Sequence, residues 1–167
     1  MPTNFSRLYK VRAAAAILAS GILIPLALGP SVAAAAPTLC QKVSVGEVSV
    51  ALGVKVTKVT PVLNGSVTVC WYQVGSNPDA VYVRSSIGTG VSVFNLNKSQ
   101  SKTQGEHPTT DKHFPPYSAF STWLGSASYG FTYGVVILKN KNELDVGATK
   151  VSLAKVEALA KKVLPLL

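Results

Sequence analysis

The run Val67-Thr68-Val69-Cys70-Trp71-Tyr72-Gln73-Val74 constrains this chain more than any other stretch. It is built of β-branched and aromatic residues, which suit a pleated strand and crowd a helix. With a side-chain period of two, Val67, Val69 and Trp71 fall on one face and Cys70, Tyr72 and Val74 on the other. Cys70 is one of only two cysteines, the other being Cys40. A bridge between them would tie the segment around Cys40 to the middle of a strand.

Whether such a bridge forms depends on compartment. Arg7, Lys10 and Arg12 precede an apolar run from Ala13 to Leu28, broken only by Ser20, Gly21 and Pro25. Gly29-Pro30 and the small residues Ala33 to Ala36 follow. A basic start, an apolar middle and an A-x-A site describe a secretory signal peptide over residues 1–36, cleaved after Ala35 or Ala36. The apolar run is shorter than the ~20 residues a spanning helix needs, so no integral membrane segment is expected in the mature chain. A bacterial lipoprotein signal places a small residue before its cysteine. Here Leu39 precedes Cys40, which argues against a lipid anchor. Two cysteines in an exported chain read as one disulfide, Cys40–Cys70, with a pair of buried free thiols as the alternative. The expected location is outside the cytoplasmic membrane, secreted or extracellular.

Residues 37–167 then form a single domain of 131 residues, long enough for a substantial core. Ser44-Val45-Gly46-Glu47 is a capping box, and Gly53 suits a helix C-terminus, so a short helix is expected over 45–52, burying Val45, Val48 and Leu52. Alternation from Lys55, the turn Asn64-Gly65, the Val67–Val74 run and Ala80–Arg84 after a turn at Asn77-Pro78-Asp79 describe successive strands. Val91 to Leu96 fits strand or helix equally. Residues 97–122 read as a long loop, functional or mobile. A strand over 126–132, the apolar run Val135–Leu138 and a hairpin arm Glu143–Val146 come next. The last element is a helix over 151–164 with Leu153, Val156, Leu159, Ala160 and Val163 on one stripe. The expected fold class is α+β, an antiparallel sheet with a short N-terminal helix and a C-terminal amphipathic helix packed on it.

Of sixteen basic residues, three lie in the leader; twelve of the remaining thirteen are scattered lysines, and Arg84 is the lone arginine. Nucleic-acid recognition leans on arginine forks and clustered basic faces, so no nucleic-acid partner is expected.

The order of these features resembles small actinobacterial exported proteins and lipoproteins of unknown function. In those families an early Cys precedes a short helix ending in Gly, and a second Cys lies beside a Trp in a central strand. A Gly-x-x-Ala element, a hairpin and a Leu/Ala-rich helix follow. The corresponding positions here are Cys40, Gly53, Cys70-Trp71, Leu124-Gly125-Ser126-Ala127, Val135 to Val146 and Val151 to Leu164. The adjacency of Cys70 and Trp71 departs from the family, which often has a residue between them. The resemblance extends to PsbP-like α/β/α sandwiches and implies binding or accessory roles rather than a known reaction.

The residues carry little catalytic signal. Gly125-Ser126-Ala127-Ser128-Tyr129-Gly130 fails the Gly-x-Ser-x-Gly elbow, and Gly88-Thr89-Gly90 lacks a further glycine and an expected helix, so no dinucleotide loop is read there. No catalytic residue and no cofactor are assigned. Glu106, His107, Asp111 and His113 are the only concentrated ligand types, but their spacing follows no tight metal scheme, so they are weak candidates. Phe114, Tyr117, Phe120 and Trp123 form an aromatic stretch in the same region and are the candidate binding surface. The expected function is a secreted, non-enzymatic protein of the cell envelope or exterior that binds an unknown envelope ligand or protein. The alternative is a metal- or His-dependent hydrolase using the 106–113 loop.

Overall fold

The computed structural model of the chain describes residues 38–126 and 130–167. The leader, its cleavage site and Ala127 lie outside the described residues. A single turn of helix, α1 (Leu39–Lys42), leads into α2 (Val45–Leu52). The capping box closes as the sequence requires: the Glu47 backbone N–H donates to Ser44 Oγ at 3.2 Å, and the Glu47 carboxylate accepts the Ser44 backbone N–H at 2.7 Å. Gly53 ends α2 in the left-handed region at φ 65°. Val48 and Leu52 are buried, and Val45 is half-buried.

Among the described residues seven strands follow: β1 (Val56–Asn64), β2 (Val67–Val74), β3 (Asn77–Ser86), β4 (Thr109–Thr110), β5 (Ser118–Ser126), β6 (Gly130–Lys139) and β7 (Asn142–Thr149). They form one antiparallel sheet in the order β1-β2-β3-β7-β6-β5-β4. The fold is therefore mixed α+β. The β2–β3 hairpin turns at Gly75-Ser76, since Val74 pairs with Asn77. The turn expected at Asn77-Pro78-Asp79 is instead the start of β3.

The period-two rule then sorts the side chains. Cys70, Tyr72, Val81, Val83, Val135, Ile137, Leu144, Val146 and Ala148 share one buried cluster with Val48, Leu52, Val156, Leu159, Ala160 and Val163. The last four belong to α4 (Leu153–Val163), which a 3₁₀ turn over Leu164–Leu166 follows. The Cys40–Cys70 disulfide joins α1 to β2 inside this core, and the Tyr72 hydroxyl donates to the Val43 carbonyl at 2.8 Å.

The long loop expected over 97–122 is largely regular. Helix α3 (Gly90–Thr103) occupies its first part and contacts β3, β6 and β7, and β4 and the start of β5 take up more of the rest. A helix thus does follow Gly88-Thr89-Gly90. Gly90 is required there: its N–H donates to the Lys141 carbonyl at 2.8 Å, and a Cβ would collide with the backbone of Asn142 and Glu143. The buried residues of α3 are Gly90, Phe94 and Ser101, with Val93 and Asn97 half-buried beside them. Phe94 packs edge-to-face on Phe120 (5.2 Å between ring centroids) and beside Val136, a small second core.

Closing the 31-residue loop between Cys40 and Cys70 restricts the unfolded chain. Replacing both cysteines by serine is expected to lower the unfolding free energy by about 3.5 kcal/mol. Urea denaturation of the two forms side by side measures it.

Candidate functional site

Two polar assemblies stand out, one inside the protein and one at its surface. The inner one lies under α3 on the central strands. Arg84 on β3 sends Nη2 to Glu143 Oε1 at 3.0 Å and to Asp145 Oδ2 at 2.8 Å, both on β7. Asn97 on α3 donates to both Glu143 oxygens at 3.1 and 3.0 Å, and the Tyr82 hydroxyl donates to Asp145 Oδ1 at 3.0 Å. The Tyr82 ring lies over Gly147, where any side chain would collide with it, and leans on Trp71. Glu143 is fully buried. Burial pushes its carboxyl up to about 7 against the pull of Arg84, and neighbouring Asp145 adds to the rise. Burial raises Asp145 as well, opposed by Arg84 and the Tyr82 hydroxyl. One guanidinium shared by two carboxylates, with each oxygen capped, holds α3 on the sheet rather than presenting reacting groups to solvent.

The outer assembly is the corner between β4 and β5. The Asp111 N–H donates to the Ala119 carbonyl, and Asp111 Oδ1 accepts the His113 backbone N–H at 2.9 Å, which folds the corner back on itself. The corner lies against α4. His113 Nδ1 stands 3.2 Å from Asp111 Oδ1 and 3.1 Å from Glu157 Oε2. One helical turn further on, Lys161 Nζ sits 5.6 Å above the centre of the Phe114 ring. Beside it runs a groove of about 520 Å³ lined by His113, Phe114, Pro115, Tyr117, Lys139, Lys161, Leu164 and Pro165. Lys139 Nζ donates to the carbonyls of Leu164 and Leu167, both at 3.1 Å, and so fastens the groove's far wall.

The sequence-derived site residues are divided among these places. Of the four weak ligand candidates, Asp111 and His113 meet, while Glu106 and His107 do not join them. The His107 ring stacks on Trp123 with centroids 4.1 Å apart, and Glu106 lies near enough to Asp145 to raise it. Glu157, the third member of the cluster, was not legible as a ligand because it is 44 residues beyond His113 and reaches it only through the packing of α4. Its signal was indirect: it lies off the apolar stripe of that helix.

The four aromatic residues do not form one surface. Phe114 is 3% exposed in the main core and Phe120 is 1% exposed in the core beneath α3, so both are packing residues. Strand alternation is the reason: Phe120 and Trp123 are an odd number of residues apart on β5 and must point to opposite faces. Trp123 remains 38% exposed, edge-on to Phe131. Tyr117 is half-buried and lines the groove.

The sequence matches no protein-family model and no curated protein.

Glu143 is held above its unfolded value, so the folded state binds the extra proton. Its contribution is present below the ordinary glutamate range and is lost as pH rises through about 7. The expected outcome is that wild type loses stability relative to Glu143→Gln between pH 5 and pH 8, within roughly that window of titration. Chemical denaturation of both proteins across the range checks the sign; a wild type that gains stability relative to Glu143→Gln as pH rises contradicts it.

Proposed function

We propose that the chain is an exported, non-enzymatic binding protein that holds a small amphiphilic anion in the groove beside the 111–117 corner. The observation that carries this reading is the lining of that groove. Tyr117, Pro115, Leu164 and Pro165 supply apolar wall, and the exposed Lys161 supplies positive charge at the rim. A volume of about 520 Å³ is in the range that small-molecule sites occupy. The mechanism is desolvation of an apolar tail against the prolines and Tyr117, with an anionic head at the Lys161 ammonium.

Export is supported from two sides. The residues of the leader have the signal-peptide pattern, and a disulfide in the core suits an oxidising compartment. Among the described residues no helix is long and apolar enough to cross a membrane. The likeness to actinobacterial exported proteins agrees with a binding role.

Decyl phosphate and decanol, titrated into ¹⁵N-labelled protein in the presence of a chelator, test the reading. Decyl phosphate is expected to move amide resonances of residues 113–117 and 161–165 and to bind more tightly than the neutral alcohol. Lys161→Ala is expected to weaken it about fivefold, the loss of one solvent-exposed charge contact. Shifts centred elsewhere, or equal binding of the two amphiphiles, would remove the groove from consideration.

A further inference from the structure

Asp111, His113 and Glu157 form a second kind of site at the rim of the groove, and the hydrogen-bond bookkeeping around them does not close. The Asp111 side chain is 2% exposed, yet its Oδ2 is buried with no hydrogen-bond partner. Asp111 Oδ1 and Glu157 Oε2 both face the same nitrogen, His113 Nδ1. A ring nitrogen carries one proton at most, so it can serve only one of the two; Asp111 Oδ1 also accepts the His113 backbone N–H at 2.9 Å, while the buried Oδ2 has no donor. A buried carboxylate oxygen without a donor is costly. Two of the seven acids converge here on one imidazole, outside the Arg84 network.

We propose that these three residues bind a divalent transition-metal ion, zinc in the first instance. The donor set is one imidazole and two carboxylates, which matches zinc and its neighbours better than the all-oxygen shells of calcium or magnesium. The geometry is close to what a cation needs. With ligand bonds of about 2.0–2.2 Å, neighbouring donor atoms stand roughly 3.0 Å apart at a right angle and roughly 3.4 Å apart at the tetrahedral angle. The two nitrogen–oxygen separations are 3.2 and 3.1 Å, and one donor atom from each residue lies within 4.8 Å of the others. The elements are suited to hold it. Asp111 is fixed by its backbone bond to β5 and Glu157 by α4, while His113 is 63% exposed on its side chain and gives the ion a path from solvent. Three protein ligands leave a coordination position open for water or an external anion. This site does not depend on the groove reading, because its test reads the ion itself.

The experiment is calorimetric titration of Zn²⁺ into the chelator-treated, disulfide-bonded full chain without a polyhistidine tag, with Co²⁺ absorption as a second readout. One equivalent is expected, with a visible Co²⁺ band that Zn²⁺ abolishes. His113→Ala, Asp111→Asn and Glu157→Gln are each expected to weaken binding at least about tenfold. His107→Ala, the other histidine, is expected to bind as wild type does. The three ligand variants are checked for native circular dichroism, and exposed His113 is the one whose replacement disturbs the core least. Binding that His113→Ala fails to weaken by about tenfold overturns the proposal, as does the absence of saturable binding; the triad is then a latch between the corner and α4 only.

Discussion

Strand β7 lies in the middle of the sheet, and its two faces set what both helical layers can be. Leu144, Val146 and Ala148 point to the side that α2 and α4 cover, and Glu143 and Asp145 point to the side of α3. A strand with carboxylates on a buried face is tolerable only if a cation and donors reach them. Arg84 from the neighbouring strand supplies the cation, and Asn97 and Tyr82 supply the donors. The docking of α3, the close approach at Gly90 and the small core of Phe94, Phe120 and Val136 all follow from that one arrangement.

On the opposite face, covalent and apolar forces do the corresponding work. The disulfide holds α1 to β2, and α4 packs its apolar stripe against β6 and β7. Because α4 is held in that way, its flank is presented at a fixed place to the β4–β5 corner. Glu157 meets His113 and Lys161 meets Phe114 one helical turn apart, so the cation site and the groove share one helix face. Both proposals for function rest on this junction, and neither uses the buried Arg84 network.

Much of the fold was legible because its signals are local. The capping box at Ser44–Glu47, the left-handed Gly53, the Asn64-Gly65 turn and the alternation of Val67–Val74 each act within a few residues. Helix α3 was legible only as one of two readings of Val91–Leu96, since its buried residues are Gly90, Phe94 and Ser101 while Val91 and Leu96 are exposed. Its polar inward residue Asn97 finds its partner, Glu143, on β7, 46 positions away. The site residues divide in the same way. Asp111 and His113 were visible as ligand types near each other in sequence, whereas Glu157 was not. Phe114 and Phe120 read as surface aromatics because nothing local says which face of the sheet they meet.

By itself the sequence determined which two cysteines could pair, the alternation of its strands and the amphipathic stripe of its last helix. Each depends on a count, a period or a near neighbour. The tertiary structure alone decided that α3 exists as a packed element, that Glu143 is buried at all, and that His113 stands between Asp111 and Glu157. Those outcomes depend on charges brought together across the sheet from distant parts of the chain, and a buried polar group has no preferred local conformation to announce it.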